Sequence, residues 1–592
     1  MTAPHQNTGT GRDRALFTES EVTASAAFIA DTGLPDELAA RIHRTLGRPR
    51  LCTVEGLLVG MDLCARRHGA IWFSEVADIL HWGIAEDWRR RFHLKERPDN
   101  MRGFEAGYRV VLRLFHTILK EMDPSPLPKN KRLPDAERIR LLKAANQDLI
   151  KNRRERLQWA TGQVLEASIA NIRPLLAEIW DGSVGVDATP IRTWARGLKH
   201  QGPVTSTDPD AGWYTREGDH RDPDVPTEAQ PAQPATTNRQ RTSKGRPRKG
   251  RIPKIIFGYD AAFAVLRNPH HTFQPDADGC GDSKAPPALI LGMTLDRPGH
   301  NPGPNGVAIL HNIQQRGHPA GDLGADNLYN SCKEDNWQLP VRAMGYQPTY
   351  DYRANQRGIQ ATAHGANMVE GTWYCPWMPT HLVTATQDLH AAKNSPSKID
   401  KQTWVDRIAA RAPYALPAKG RPDAEGHQRY QCPHHRGKVF CPLKEKVSKN
   451  GDPRLPVVDP QPTPAGSPKV CCQTSITIAP EDGAKHWQPR AYGSAEWQKV
   501  YYRLRNAVEG INGYAKDDAR EAIERAGRRR IRGIAAQTLL LAFQLAQVNL
   551  RKIRSWLDTL PREDGQPRRR APRRTSKPLS HWTPTGYIDD LP

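Results

Sequence analysis

The feature that most restricts the fold of this chain is a change of hydrophobic period near Trp180. From Glu37 to about Asp181, apolar residues recur every three or four positions, as in "GYRVVLRLFHTILKEM", which is typical of packed amphipathic helices. After Trp180 the apolar runs are short and bounded by turn residues, which indicates strands. The sequence therefore predicts an all-α N-terminal domain over residues 21–180, followed by an α/β domain.

Strands are expected over residues 183–195, 254–266 and 288–299, from the runs "SVGVDATPIRTWA", "KIIFGYDAAFAVL" and "ALILGMTLDRPG". A helix over "NGVAILHNIQQRG" and a short strand in "AGDLGADNLY" come next. Three consecutive strands, a helix and another strand predict a mixed sheet with covering helices.

Two long stretches interrupt this α/β domain. Residues 199–250 are rich in Pro, Thr, Gln and cations, and they are expected to form a flexible loop between the first two strands. Residues 370–490 hold most of the cysteines and many prolines, and they are predicted to form a large insertion subdomain. The α/β domain is thereby divided into residues 181–369 and 491–560.

The charge of the chain points to a polyanionic partner. Its 592 residues include 86 Lys and Arg against 64 Asp and Glu, a formal charge of +22. Residues 1–20 are expected to be disordered, and residues 561–592 form a basic tail that would add non-specific phosphate affinity. These features favour a nucleic acid as the partner.

No membrane segment is expected. The most apolar stretch, "IAAQTLLLAFQLAQVNL", contains three glutamines and an asparagine, which fits a buried helix better than a bilayer span. The N-terminus lacks the basic-then-apolar order of a secretory signal, so the nine cysteines are expected to be thiols or ligands in a reducing compartment. In the helical part, "SEVADILHWGIAEDWRRRFHL" fits either a DNA-reading helix-turn-helix or two packed helices of a bundle.

Three carboxylates occupy unusual positions: two lie in or directly after apolar strands, where burial of a charge is costly, and one shares a helix face with cations. Asp187 interrupts the apolar strand "VGVDATP", and Asp326 directly follows the short strand "LGAD". In "YYRLRNAVEGINGYAK", helical geometry places Tyr502, Arg505, Glu509 and Lys516 within an arc of about 60°.

These positions fit a nucleic-acid-cutting site. Converging carboxylates need a cation, and oxygen-only ligands favour Mg²⁺ or Mn²⁺. The other polar residues on the same helix face, Tyr502, Arg505 and Lys516, can donate hydrogen bonds to phosphate oxygens. A simpler alternative exists for each carboxylate: Asp187 could cap a turn, Asp326 could begin a loop, and Glu509 could pair with Arg505 one helical turn away.

The polar face of this helix resembles the Y-(2)-R-(3)-E-(6)-K signature of bacterial insertion-sequence transposases with a DDE catalytic domain. Tyr502, Arg505, Glu509 and Lys516 match all four positions at the family spacing. The segments "VGVDATPI" and "LGADNLY" look like the two aspartate strands of that family, and the resemblance extends loosely over residues 180–555.

The resemblance implies an RNase H-like mixed sheet and a Mg-dependent DNA transposase that cleaves and joins DNA at the ends of its own element. Asp187, Asp326 and Glu509 would be catalytic and would hold the metal ions, while Tyr502, Arg505 and Lys516 would contact DNA near the cut. The expected partners are double-stranded DNA, as terminal inverted repeats and target, and a second copy of the chain in the DNA complex. The expected location is the bacterial cytoplasm, at the nucleoid.

Asp260 in "FGYDAAF" competes with Asp187 for the first position. Asp187 is preferred, because the family places a G-Y-polar pattern on the second strand, facing away from catalysis.

The insertion is rich in soft ligands. Its candidate ligands are Cys375, Cys432, His434, His435, Cys441, Cys471 and Cys472. A structural Zn²⁺ is one hypothesis, and a set of buried or unpaired thiols is the other.

Two rival functions remain open. A domesticated DNA-binding protein would keep the fold without cutting, and a metal-dependent DNA nuclease would cut without strand transfer.

Overall fold

The structure is a computed structural model that describes residues 16–43, 49–198, 204–215, 255–270, 286–447, 454–461 and 467–558. Its N-terminal part contains nine α-helices: α1 (Glu19–Asp31), α2 (Leu34–Arg41), α3 (Val54–His68), α4 (Phe73–Asp78), α5 (Glu86–Arg91), α6 (Met101–Lys120), α7 (Asp135–Ala144), α8 (Gln147–Ala167) and α9 (Arg173–Ile179). Helix α1 begins inside the stretch that was predicted to be disordered, because Thr18 and Glu21 form a capping box at its first turn. Residues 1–15 lie outside the described part.

The candidate helix-turn-helix corresponds to α4 and α5. Each of these helices has six residues, and α4 continues directly into a π-helical turn over Ile79–Gly83. Trp88 of α5 is buried. A DNA-reading role for this pair stays a prediction.

After α9 the chain forms a mixed sheet, as the change of hydrophobic period predicts. Its elements are β1 (Val184–Arg192), β2 (Gly212–Thr215), β3 (Ile255–Leu266), β4 (Leu289–Asp296), α10 (Pro302–Gln315), β5 (Asp322–Ala325), α11 (Asn327–Asn330), α12 (Gln338–Ala343) and β6 (Gln347–Thr349). Strand β2 lies within residues 199–250, which were predicted to be loop throughout. Residues 199–203 and 216–254 lie outside the described part.

The strand order combines antiparallel and parallel pairing. Strand β3 pairs with β1 on one side, and β2 and β4 pair with it on the other side, all antiparallel. On its free side β1 pairs with β5 in parallel, and β5 pairs with β6 in parallel. The prediction of a mixed α/β fold is confirmed.

The next segment forms a smaller unit with its own core. It contains β7 (Ile359–Ala363), β8 (Ala366–Val369), β9 (Thr372–Tyr374), α13 (Thr380–Val383), α14 (Ala385–Leu389), α15 (Lys401–Ala410), β10 (Gln428–Gln431), α16 (Lys469–Cys472) and β11 (Ser475–Ile478). Strands β7, β8 and β9 form one antiparallel sheet, so this unit begins near Ile359, before the predicted boundary at residue 370.

Two long helices close the described chain: α17 (Ala495–Ala515) and α18 (Ile534–Leu557). Helix α18, the most apolar stretch, is buried between α8 and β4. Helices α1 to α6 and α8 share one hydrophobic cluster with α18 and with one face of the sheet, whereas Leu176 of α9 belongs to the cluster on the other side of the sheet. No described helix is long and apolar enough to cross a membrane.

Candidate active site

Two aspartates lie side by side where the parallel pairing of β1 and β5 ends. In the parallel pair of β1 and β5, Val186 lies opposite Ala325. Asp187 and Asp326 are the next residues on the two chains. Because residues in register on neighbouring strands project to the same face, both carboxylates emerge on one side of the sheet.

Two glycines bring α17 close to that face. A Cβ added at Gly185 would lie 2.5 Å from Val508 Cγ2 and 2.7 Å from the carbonyl oxygen of Leu504. A Cβ at Gly324, which pairs with Gly185, would lie 2.7 Å from Leu504 Cβ. Helix α17 therefore rests directly on the sheet, and Glu509, next to Val508, contributes to raising the pKa of Asp187. The sequence analysis missed both glycines, although glycine inside an apolar strand was an available signal.

Arg505 links two of the three carboxylates. Its Nη1 donates to Asp326 Oδ1 at 2.8 Å, and its Nε lies 3.0 Å from Glu509 Oε1. Burial lowers the pKa of the Arg505 guanidinium, but Tyr501, Asp326 and Glu509 outweigh this effect and raise its pKa. The simpler alternative for Glu509, an ion pair with Arg505 one helical turn away, is therefore present in the structure. It occurs together with the hydrogen bond from Arg505 to Asp326.

The electrostatics of the site disfavour a bare carboxylate at Asp187. Burial, together with the nearby carboxylate of Asp326, raises the pKa of Asp187 to about 7, although the N–H of Ala188 donates to Asp187 Oδ1 at 2.7 Å. The buried hydroxyl of Tyr329 makes no hydrogen bond to any described residue, and burial and Asp187 raise the pKa of this phenol. The site thus concentrates negative charge, which proton uptake by Asp187 or a bound cation would reduce.

The donor set fits a hard divalent cation, because all three candidate ligands are carboxylates. In the structure these ligands are spread, with Arg505 between Asp326 and Glu509. Within the described ranges, the sets of three acidic or histidine ligands that lie within 4.8 Å of one another are Asp181 with His270 and Asp322, and Asp423 with Glu425 and His427. Binding an ion between the three carboxylates therefore requires the Arg505 side chain to move aside.

The remaining signature residues occupy different surroundings. Lys516, directly after α17, donates from Nζ to Thr189 Oγ1 on the same face of β1 as Asp187, and it lies 3.7 Å from Glu524. Tyr502 is 2% exposed and packs edge-on against Trp497. Contact of Tyr502 and Lys516 with DNA stays a prediction, and the burial of Tyr502 makes it the less accessible of the two.

Asp260 lies on the opposite face of the sheet. It pairs with Pro190, whereas Asp187 pairs with Phe263, and the two positions differ by an odd number of residues along β1. Asp260 Oδ2 accepts a hydrogen bond from the N–H of Gly299 at 3.1 Å.

A basic, aromatic cleft of about 760 Å³ opens between the N-terminal helices and the start of α18. The charged residues that line it are Lys120, Asp123, Lys129, Arg153, Arg530 and Arg532. Arg530 lies over the rings of Trp72 and Trp194, at 5.2 and 5.6 Å from their centroids. Cations interleaved with exposed aromatic rings are typical of surfaces that hold nucleic-acid strands. The sequence analysis missed this cleft, because its walls come from distant segments.

No known protein family, curated protein or solved structure matches this chain.

Proposed function

We propose that this protein is a DNA transposase that cuts and joins DNA at the ends of its own insertion sequence by metal-dependent DDE phosphoryl transfer. The observation that carries the proposal is that Asp187 and Asp326 lie side by side on adjacent strands and that Arg505 links Asp326 to Glu509 of α17, in a strongly basic chain.

The strand order supports an RNase H-like sheet. Three antiparallel strands, β4, β3 and β1, continue into two parallel strands, β5 and β6, and α17 covers one face. The first two carboxylates stand at the parallel junction of β1 and β5. Polar groups at such strand ends are accessible to a ligand while the strands themselves remain buried.

The roles of the chain's own groups follow from their positions. Asp187, Asp326 and Glu509 would hold Mg²⁺ or Mn²⁺, and two such ions when bound supply activation of the attacking hydroxyl and stabilisation of the leaving oxygen. Arg505, which bridges Asp326 and Glu509 in the structure, would move aside when the ions bind and would then be available to a phosphate of the DNA. Lys516, bonded to Thr189 on the strand that carries Asp187, would position the DNA backbone beside the cut.

The partner in this proposal is double-stranded DNA, both as the terminal inverted repeats of the element and as the target. Pairing two ends calls for two copies of the chain in the DNA complex, acting at the bacterial nucleoid. The cleft around Arg530 gives a second basic surface away from the carboxylates, suited to a strand that continues beyond the cut.

The test is cleavage of a labelled duplex that carries the DNA flanking the gene, with Mg²⁺ or with EDTA. Wild type should cut at the element end with Mg²⁺ alone and then join the end to a plasmid target. Asp326→Ala should abolish both steps, while Asp260→Asn, on the opposite face of the same sheet, should leave them intact. Equal activity of wild type and Asp326→Ala would overturn the proposal.

The same assay separates the rival functions. A metal-dependent nuclease would cut without joining and without preference for the flanking ends. A domesticated DNA-binding protein would bind the ends in a salt-sensitive manner and cut nothing under any metal condition.

A further inference from the structure

Four cysteines from distant parts of the insertion meet at one small cavity. Cys375 follows β9, Cys432 follows β10, Cys441 lies in the loop beyond it, and Cys471 is in α16. All four line a cavity of about 10 Å³ and are at most 8% exposed. This space is about that of one water molecule, so it suits a single ion rather than a side chain. None of the four forms a disulfide.

A hydrogen-bond donor contacts one of these buried sulfurs, although burial raises the pKa of the Cys375 thiol to about 12 and also raises the pKa values of Cys441 and Cys471. The indole Nε1 of Trp377 donates to Cys471 Sγ at 3.3 Å. A hydrogen bond of this kind favours the negatively charged sulfur and orients it as a metal ligand.

A buried lysine supplies a second, independent observation. Lys444 lines the same cavity and is 7% exposed. Its Nζ donates to the carbonyl oxygens of Val470 and Gln473, at 3.3 and 2.7 Å, and forms no ion pair with a carboxylate of the described residues. A buried ammonium group is costly without nearby negative charge. Thiolates at the cavity would supply that charge.

The other candidate ligands of the insertion have different roles. His434 lines the cavity, but its Nδ1 accepts the backbone N–H of Cys441 at 3.2 Å, so it positions that loop. Cys472 is exposed, and its Sγ lies 3.5 Å from the carbonyl oxygen of Ser467. His435 is not among the residues that line the cavity in the described part of the chain.

We propose that Cys375, Cys432, Cys441 and Cys471 bind one structural Zn²⁺ as thiolates and that this ion joins the four segments of the insertion. Four soft sulfur ligands in a closed site are the donor set of a structural zinc ion. Tetrahedral Zn–S bonds of about 2.3 Å would hold the sulfurs about 3.8 Å apart. In the structure no three of them lie within 4.8 Å of one another, so binding draws the segments inward.

The ion would act on the fold rather than on DNA chemistry. Cys375, Cys441 and Cys471 belong to one hydrophobic cluster, to which β8, β9, β11 and α16 also contribute. Because the cavity segments are otherwise joined mainly by loops, binding free energy at this site becomes folding free energy of the insertion. The proposal does not depend on the proposed cutting activity.

The test is the metal content of the purified full chain, measured by mass spectrometry of the elements and by uptake of Co²⁺. Wild type should hold one zinc per chain, and Co²⁺ in its place should show the thiolate-to-metal charge-transfer absorption of tetrahedral sulfur ligation. Cys375→Ser and Cys441→Ser should lose the zinc. Cys472→Ser, which removes the exposed thiol next to Cys471, is the matched control and should keep it.

A measurement on wild type tests the proposal even where a serine variant fails to fold. Titration of wild type with a mercurial reagent should release the zinc as four thiols react. The proposal is overturned by a folded wild-type protein without zinc that gives no Co²⁺ absorption, by disulfides among the four cysteines, or by one iron per chain in place of zinc.

Discussion

The close approach of α17 to the sheet makes Gly185→Ala a demanding test of how the candidate site is built. The added Cβ would lie 2.5 Å from Val508 Cγ2 and 2.7 Å from the carbonyl oxygen of Leu504, whereas ordinary contacts begin at 3.4 Å. One neighbour is backbone, so rotation of a side chain cannot relieve the clash. Helix α17 must move by about 0.7 Å or more, which is the deficit at the backbone atom.

Two consequences follow from this displacement. Overpacking of this kind costs about 1–3 kcal/mol of unfolding free energy. The same movement carries Glu509 away from Asp187 and Asp326, and misplacement of a catalytic group by about 1 Å can lower a rate about 100-fold. The rate of DNA cutting should therefore fall further than the loss of stability alone accounts for.

The assay combines urea unfolding with Mg²⁺-dependent cutting of the end duplex at a temperature where the variant is folded. The matched control is Gly513→Ala on the exposed side of the same helix, where an added Cβ meets nothing within 4 Å. This control should gain about 0.5–1 kcal/mol from helix propensity and cut normally. Wild-type stability and cutting by Gly185→Ala would refute the reasoning.

Three further predictions concern the charges. Arg505→Ala should weaken binding of cleaved ends while Glu509→Ala abolishes cutting with binding retained, and equal loss of binding in both, by gel shift, would contradict this division. The pKa of Asp187, about 7, lies above its unfolded value near 4, so in EDTA this group makes folding less favourable as pH rises from about 4 to 7. Asp187→Asn should therefore be more stable than wild type at pH 8 and equal to it near pH 4 in urea titrations, and a gain that persists at pH 4 would contradict the argument. Arg530→Ala should weaken DNA binding and lower the slope of log affinity against log salt by about one, as measured by fluorescence anisotropy, and an unchanged slope would remove the cleft from the DNA path.

Much of the sheet could be predicted from the sequence, because its strands are apolar runs with clear ends. Strands β1, β3, β4 and β5 and helix α10 lie where their patterns indicate. Strand β2 was missed, since it has four residues within a stretch of loop-like composition and pairs only with the first residues of β3. The start of the insertion was placed too late, because a short hairpin such as β7–β8 has no distinct hydrophobic period.

The candidate site was predictable as a set of residues but not as a geometry. Register between β1 and β5 decides that Asp187 and Asp326 are neighbours, and no local pattern encodes it. The bridge from Arg505 to Asp326 depends on how α17 is oriented on the sheet, which Gly185 and Gly324 permit. The same limit applies to the cysteines of the insertion, since their convergence comes from tertiary packing.

The central claim is that the carboxylates of β1, β5 and α17 jointly hold divalent cations. Its most direct test is Mn²⁺ binding to the full chain, measured by electron paramagnetic resonance, for wild type, Asp187→Asn, Glu509→Gln and the control Asp260→Asn. The account predicts binding by wild type and the control, with affinity reduced at least tenfold in the other two variants. Equal Mn²⁺ binding by all four proteins would contradict it.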